Sequence, residues 1–196
     1  MSPRPSNRQA LLDGALRCLA RMPVDRITAR VLAEESGANL ASIGYHFGSK
    51  DALVTAAVVE GLDRWLRQIA ERIAALPPQP DRSALFRQAV EAVNQTRHEH
   101  EPVARAFVAA LVRGQHDPVV AEHLTAGFIR TRARVAQLLD LGSDGTGTDA
   151  GGLMHAMFTG LLVQSLLNEE LVLNAPLTET ALQRIALALT DHSTDE

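Results

Sequence analysis

The sequence predicts an all-α protein of about nine helices, and three observations support this class. Apolar side chains recur three and four positions apart along nearly all of the 196 residues, as they do on one face of a helix. Aromatic side chains make up only 4% of the chain, and no stretch shows the apolar–polar alternation of a half-buried strand. Prolines and glycines stand between the apolar stretches, and they divide the chain into separate helices.

The first three predicted helices are short and have clear signals at their ends. We place them at residues 7–21, 28–36 and 39–46. Met22-Pro23 ends the first, because proline cannot continue a helix and disfavours helical geometry in the residue before it. Thr28 suits the N-cap of the second, and Gly37 suits the left-handed residue that ends it. Gly48-Ser49 then separates the third helix from the long helix that follows.

Six longer helices are predicted after this point, at residues 50–76, 83–98, 102 onward, 117–141, 150–171 and 178–191. Pro102 and Pro118 fit the first turns of the sixth and the seventh. The glycine-rich segment 142–149 is predicted to be a flexible loop. The eighth helix is apolar on nearly every side, which requires burial on every side.

Composition excludes several classes of protein. Hydrophobic residues make up 46% of the chain, which is enough for a globular core. The polar start, Met1 to Pro5, lacks the apolar stretch of a signal peptide. No apolar run is long enough for a membrane span, so we expect a cytoplasmic protein that does not contact a membrane. The single Cys18 excludes an internal disulfide.

The net charge of -4 is distributed unevenly. Residues 1–50 carry seven basic and four acidic side chains, whereas residues 51–196 carry twelve basic and nineteen acidic ones. A basic end on an acidic body can face a polyanion at that end. Chance clustering of surface arginines would give the same imbalance, so the charge alone does not decide the function.

Two short helices with a glycine between them, within residues 28–47, have the pattern of a helix-turn-helix, whose second helix enters the major groove of DNA. Apolar side chains are expected to hold the pair together: Leu32, Ala33, Ile43 and Phe47. Small residues at Ala41, Ser42 and Gly44 would let the second helix approach DNA closely.

Lys50, the only lysine of the chain, is expected in the first turn of the long fourth helix. The helix dipole disfavours a cation there, but the unpaired N–H groups of the same turn bind anions. A lysine at this position makes sense if a phosphate docks beside it. Thr28 stands at another helix start, and Tyr45 and His46 offer hydrogen-bond donors toward the same backbone.

The segment resembles the DNA-binding domain of the tetracycline-repressor (TetR) family of bacterial regulators. The resemblance covers about residues 8–53, and the positions that carry it are Thr28, Arg30, Leu32-Ala33, Gly37, Tyr45-His46-Phe47, Ser49-Lys50 and Leu53. It implies a helix-turn-helix domain at residues 1–48 and a helical ligand-sensing and dimerisation domain at residues 49–196. The function it implies is repression from a palindromic operator, relieved by an unidentified small molecule.

The resemblance also implies roles for individual residues. Those expected to contact phosphates are Thr28, Tyr45, His46 and Lys50. Those expected to lie against or near base edges are Arg30, Asn39, Leu40, Ala41 and Ser42, of which Arg30 could bind guanine in bidentate fashion. Gly44 departs from the pattern, because many relatives place a contacting side chain there.

The eighth and ninth helices, at about 150–171 and 178–191, have more apolar surface than one chain can cover. We expect them to form a four-helix bundle with their copies in a homodimer, with Ala156 and Gly160 allowing close contact. Two-fold symmetry would place the recognition helices roughly 34–36 Å apart, one turn of DNA. Four large side chains are expected in the core, or lining an effector cavity: Trp65, Phe107, Phe128 and Met157.

Two other functions stay open from the residues alone, an all-helical enzyme and an interaction protein that does not bind DNA. No nucleophile elbow or cofactor pattern is present, so we expect no catalytic residues, no cofactor and no enzymatic activity. The pattern His98-Glu-His-Glu101 does not place ligands on one helical face, so we expect no metal site. No strand precedes the glycines of 142–152, which argues against a phosphate-binding loop.

Overall fold

The computed structural model describes residues 6–77 and 81–190, and within them every regular element is a helix. The nine α-helices of these described residues are α1 (Asn7–Arg21), α2 (Ala29–Ser36), α3 (Leu40–Phe47), α4 (Lys50–Ala74), α5 (Arg82–Thr96), α6 (Glu101–Gly114), α7 (Pro118–Leu138), α8 (Gly145–Ser165) and α9 (Ala175–Thr190). Short 3-10 helices occupy Val24–Arg26, Arg97–His100 and Glu169–Leu171. The predicted all-α class is confirmed.

Side-chain caps fix the ends of the early helices. The Thr28 hydroxyl oxygen accepts a hydrogen bond from the Val31 N–H at 3.2 Å and so caps α2. Gly37 ends α2 with a φ of 64°, a conformation that glycine adopts without steric cost. Ser49 accepts from the Ala52 N–H at 3.0 Å, which starts α4 at Lys50. These are the ends that the sequence predicted.

The chain divides into two compact units, and the first contains residues 6–66 and 99–132 of the described chain. Its core consists of buried apolar side chains from α1, α2, α3, the first half of α4, α6 and the start of α7. Leu11, Leu32 and Leu53 are fully buried there. Burying a leucine contributes about 1.5–3 kcal/mol, so this shared core holds the helix-turn-helix in place.

The predicted boundary at residue 48 does not coincide with an edge of this unit. Leu53 and Val58 of α4, and Phe107 of α6, belong to the same buried cluster as Leu11 and Phe47. Packing therefore continues from the helix-turn-helix into α4 and α6. The division at 48 stays a prediction about where the DNA-binding part ends.

The second unit contains residues 67–77, 81–98 and 133–190 of the described chain. Here α5 packs against α9, and Arg87 donates to the Glu179 carboxylate at 2.8 Å. Asn94 donates to the carbonyl of Leu173 at 3.1 Å. The rings of Phe86 and Phe158 lie 6.3 Å apart, which brings α8 against α5.

The glycine-rich segment before α8 is a correction to the sequence prediction, because only its first residues form a loop and the helix already begins at Gly145. Asp144 caps it, and its carboxylate accepts from the Gly147 N–H at 2.8 Å. A side chain at Gly147 would meet the Gly142 carbonyl oxygen at 2.5 Å. The glycines thus permit a tight turn into the helix, and the cap offsets their low helix propensity.

Complete burial of α8, which its composition predicts, is not found within the single chain. Gly147 and Gly151 are its only buried residues, and Leu153 is 75% exposed. In α9, Ile185 is 56% exposed and Leu189 is 76% exposed. The two helices on which we based a dimer therefore keep much apolar surface in water.

Candidate nucleic-acid interface

The turn between α2 and α3 sets the orientation of α3. The backbone N–H of Gly37 donates to the carbonyls of Ala33 and Glu34. Asn39 then caps α3, its side-chain oxygen accepting from the Ala41 N–H at 3.0 Å. Ile43 and Phe47 are buried on the inner side of α3. The two helices and their turn form the helix-turn-helix that the sequence indicates.

The outer face of α3 is exposed and has few polar side chains. Leu40, Ala41, Gly44 and Tyr45 are exposed at helical spacing, opposite the buried pair. Tyr45 is 86% exposed and its ring packs edge-on against that of His46 at 4.8 Å. An exposed helical face of this kind can enter a major groove.

The residues predicted near base edges occupy three kinds of position. Arg30 is exposed in the first turn of α2, and Leu40 and Ala41 are exposed at the start of α3. Ser42 is half-buried. Asn39 uses its side-chain oxygen as the cap of α3, which leaves its amide N–H groups to donate outward.

Gly44 is not required for packing among the residues that the structure describes. A Cβ added at Gly44 would meet no atom of residues 6–77 and 81–190 within 4 Å. The glycine therefore leaves open space on the exposed face, where a partner's backbone or base edge can come close.

The residues predicted to contact phosphates lie at or near helix ends. Thr28 caps α2 with its hydroxyl oxygen, and its hydroxyl hydrogen can still donate. Tyr45 and His46 are in the last turn of α3. Lys50 is the first residue of α4, with its Nζ 3.0 Å from Asp51 Oδ1. Thr28 and Lys50 thus stand at two helix N-termini, where N–H groups favour anions.

Two arginines of the basic N-terminal segment serve the structure of the helix-turn-helix. Arg17 pairs with Glu35 through Nε at 2.7 Å and donates to its carbonyl at 2.6 Å, while Arg21 pairs with the other carboxylate oxygen. The Arg17 hydrogen bond is the largest cause lowering the pKa of Glu35, and Arg21 adds to it. These contacts join α1 to the end of α2, so part of the positive charge counted in the sequence is neutralised locally.

Sequence reasoning did not identify Arg8, Asp51 and Arg113 as neighbours of the site. The Arg8 guanidinium lies over the Phe47 ring at 5.2 Å, and Arg113 of α6 pairs with Asp51 beside Lys50. Arg113 is 62 positions from Asp51, and nothing in the local spacing of residues signals such a contact.

The four residues predicted to line an effector cavity are distributed over both units. Trp65, Phe107 and Phe128 belong to the first, and Met157 belongs to the second. The Phe107 and Phe128 rings form an edge-to-face pair at 5.9 Å. Trp65 is buried and its ring stacks on His100 at 4.9 Å.

Two cavities of the described chain are lined by residues other than these four. An open groove of about 670 Å³ in the first unit lies between the end of α1, the start of α4 and one side of α6, and Lys50, Asp51 and Arg113 line it. A space of about 20 Å³ in the second unit is lined by Val90, Phe158 and their neighbours. Neither is lined by the four predicted residues, whose role stays a prediction.

The Trp65–His100 stack should make stability depend on pH. Burial lowers the pKa of His100 below its ordinary 6.5, although Glu99 opposes this. On lowering the pH, His100 therefore takes up its proton in the unfolded chain before it does so in the folded one. Its contribution to the free energy of unfolding is present above pH 6.5 and is lost as the pH falls below that value. We expect the urea midpoint, followed by fluorescence of the single tryptophan, to fall as the pH falls below 6.5. His100→Gln should flatten that dependence, and an unchanged slope would contradict this role.

Neither a metal site nor a membrane-spanning helix is found in the described part of the chain. Across residues 6–77 and 81–190, no three His, Cys, Asp or Glu side chains are grouped so that they could hold a metal ion. In the same residues, none of the helices combines the length and apolar character needed to cross a membrane.

The first helices of the chain match a known family of proteins. Residues 11–57 match the family model described as bacterial regulatory proteins, tetR family. The chain is 39% identical over 62 residues to a nicotine-responsive transcriptional repressor of Paenarthrobacter nicotinovorans, covering 32% of each chain. It is 36% identical over 69 residues to the transcriptional repressor AcnR of Corynebacterium glutamicum, covering 35% of this chain and 37% of that protein. The matched part thus spans about a third of these relatives.

The fold of about nine tenths of the chain is shared with solved structures of low sequence identity. A putative TetR-family transcriptional regulator from Rhodococcus sp. superposes with a TM-score of 0.66 at 16% identity, covering 92% of this chain and 97% of that one. The multidrug binding protein EbrR, solved with imidazole, gives a TM-score of 0.65 at 22% identity, covering 92% and 95%. These likenesses establish the helical architecture beyond the matched N-terminal part.

Proposed function

We propose that this chain, whose residues 11–57 match the family model of the tetR family of bacterial regulatory proteins, is a DNA-binding transcriptional repressor. The observation that carries the proposal is the exposed outer face of α3, with Thr28 and Lys50 at the starts of α2 and α4. A recognition helix with anion-binding helix starts near it combines groove contact with phosphate contact.

In this proposal the phosphate contacts come from Thr28, Tyr45, His46 and Lys50. They would fix the orientation of the domain on the duplex without reading its sequence. Of these four residues, Lys50 contributes most to the binding free energy, because its ammonium group neutralises a phosphate and so releases a counterion.

Sequence is read by Arg30, Asn39, Leu40, Ala41 and Ser42. Of these, Arg30 has the longest donor group and is exposed. Leu40 and Ala41 offer apolar contacts of the kind that thymine methyl groups accept. Because the outer face of α3 has few polar groups, DNA shape has to contribute to specificity as well.

The repressor acts as a homodimer through α8 and α9. Leu153 in α8 and Leu189 in α9 expose three quarters of their surface in the single chain, and exposed apolar surface of this kind favours association. A two-fold axis repeats the recognition helix on a palindromic operator.

A small molecule relieves repression. Relatives include a repressor described as nicotine-responsive and a neighbour described as multidrug binding, which supports a response to small organic molecules. α4 begins at Lys50 and contributes residues to both compact units, so an effector that prefers one conformation could act on DNA affinity along this helix. Trp65, Phe107, Phe128 and Met157 are the candidates to line its cavity.

The proposal includes no enzymatic activity and no cofactor. A cytoplasmic location is part of it too, because a bacterial repressor must reach the DNA that it regulates.

The direct test selects bound duplexes from a random pool with the full-length chain. We expect a palindromic consensus whose binding weakens steeply with salt. Candidate effectors added to the selected duplex should release the protein. If the chain retains no duplex at low salt, the proposed function is wrong.

Two substitutions separate the two kinds of contact. Lys50→Ala should weaken binding to every sequence and reduce the salt slope by about one unit, whereas Arg30→Ala should relax preference at one base position by about 1–3 kcal/mol. The control is Arg72→Ala, which removes the same charge from the last turn of α4, about 33 Å along the helix from Lys50. Equal salt slopes for Lys50→Ala and Arg72→Ala would overturn the phosphate role of Lys50.

A further inference from the structure

Three charged side chains meet at the start of α4. Asp51 Oδ1 lies 3.0 Å from Lys50 Nζ, and Asp51 Oδ2 accepts a hydrogen bond from Arg113 Nη2. The Asp51 carboxylate is therefore divided between a cation on its own helix and a cation on α6. Lys50 and Asp51 are both about 70% buried, whereas Arg113 is half exposed.

The charge of this cluster matters for the nearby phosphate site. With all three groups ionised, the two cations and one anion leave a net charge of +1. If Arg113 were absent, Asp51 would neutralise Lys50 at the position where a phosphate is expected. If Asp51 were absent, the site would carry two unopposed cations.

Asp51 is charged under ordinary conditions. Burial raises the pKa of its carboxyl, but the hydrogen bonds from Lys50 and Arg113 together outweigh burial and leave the pKa lowered. The carboxylate also stands in the first turn of α4, where the helix dipole stabilises an anion. It is thus a permanent counter-charge to Lys50.

From this geometry we infer that Arg113 is a positioning residue for DNA binding, which keeps Lys50 available to phosphate by engaging the Asp51 carboxylate. Asp51 is the opposing element, which restrains Lys50 when DNA is absent. The inference rests on the proposed DNA-binding function. It assigns a part of the phosphate site to α6, outside the helix-turn-helix and outside residues 11–57.

The mechanism needs only a change of partners. When DNA approaches, the Lys50 ammonium turns from Asp51 to a phosphate oxygen. Arg113 remains on Asp51, so the carboxylate is not left without a partner in a partly buried place, where that would be costly. Without Arg113, the phosphate would have to compete for Lys50 against a carboxylate that has no other cation.

The test measures affinity for a mixed-sequence duplex about three helical turns long, across a range of salt concentrations. We expect Arg113→Ala to weaken binding by roughly threefold to tenfold and to flatten the salt slope, since the site loses one net positive charge. Asp51→Asn should change affinity in the opposite direction. Arg113→Lys should recover most of the loss, because it restores the charge.

The matched control is Arg105→Ala, which removes an arginine from the same helix. Arg105 pairs with Glu101 on α6 itself, at 2.6 Å, and does not contact Asp51. We expect its affinity to fall much less than that of Arg113→Ala. If the two variants lose affinity equally, Arg113 acts only through the total charge and the inference is wrong.

A double variant distinguishes an electrostatic role from a merely structural one. Arg113→Ala with Asp51→Asn leaves Lys50 alone, so the net charge of the site returns to +1 and affinity should return close to that of the parent. If the double variant stays as weak as Arg113→Ala, the inference is overturned. Parent protein that binds no duplex would refute the proposed function itself, whereas parent binding with no effect at Arg113 refutes the inference alone.

Discussion

Replacement of Gly14 by valine will destabilise the first unit by about 2–3 kcal/mol. Gly14 is buried in α1 at its crossing with α2, and a Cβ there would lie 2.8 Å from the Ser36 Cβ and 2.9 Å from the Ser36 Cα. Because one of these is a backbone atom, no rotamer change relieves the contact. The two helices must separate, which also disturbs the Arg17–Glu35 contact at the same end of α2.

The measurement is urea unfolding followed by circular dichroism. A loss of this size is a large fraction of the roughly 5–15 kcal/mol that stabilise a typical protein. DNA binding should weaken in parallel, because α2 carries Thr28 and Arg30 at its start. A valine variant with the urea midpoint of the parent would show that α1 and α2 are not in close contact at Gly14.

A glycine on α3 supplies the matched control for Gly14. Gly44 is also inside a helix, but a Cβ there meets no described atom within 4 Å. Gly44→Ala should therefore raise the free energy of unfolding by up to about 1 kcal/mol, whereas Gly14→Ala should lower it by about 1–2 kcal/mol. Changes of opposite sign in the free energy of unfolding would separate the effect of the α1–α2 contact from the effect of helix propensity.

Sequence reasoning succeeded at the N-terminal helices because their ends are encoded locally. Thr28, Gly37 and Ser49 each act within three or four residues of their own position. Such signals need no knowledge of the tertiary fold. The same spacing rules identified Ile43 and Phe47 as the inner side of α3.

The sequence prediction was wrong where a local signal was misread, in the segment before α8. Glycines at 142, 145 and 147 suggested a linker, but Asp144 provides a cap and Gly147 packs on Gly142. The aspartate was visible in the sequence, whereas the packing that requires glycine was not. Composition alone could not separate a flexible loop from a tight turn into a helix.

Contacts between distant parts of the chain could not be predicted at all. The pairing of Arg113 with Asp51 joins α6 to α4, and no periodicity of either helix reports which surfaces meet. For the same reason the core extends from Phe47 into α6, past the boundary drawn from the helix-turn-helix pattern.

Ile185→Glu will convert the proposed dimer into monomers at micromolar concentration, with an increase in the dimer dissociation constant of roughly 100-fold or more. The end of α9 from Gln183 to Thr190 is exposed on every side in the single chain, although it contains Ile185, Leu187 and Leu189. A helix end this apolar is expected to be covered by a partner. A carboxylate placed in that interface would be buried in each of the two subunits.

The control for Ile185→Glu is Ile129→Glu, which makes the same substitution at an isoleucine of α7 that is 62% exposed in the single chain and lies outside α8 and α9. It should leave the dimer intact in analytical ultracentrifugation. Operator affinity should fall sharply for Ile185→Glu, because each monomer then binds one half-site and loses the effective concentration that the second recognition helix supplies. Single half-site binding should persist, since the Lys50 anchor is still present. An Ile185→Glu protein that sediments as a dimer and binds the palindrome like the parent would exclude this part of α9 from the interface and leave the exposed face of α8, around Leu153, to form it.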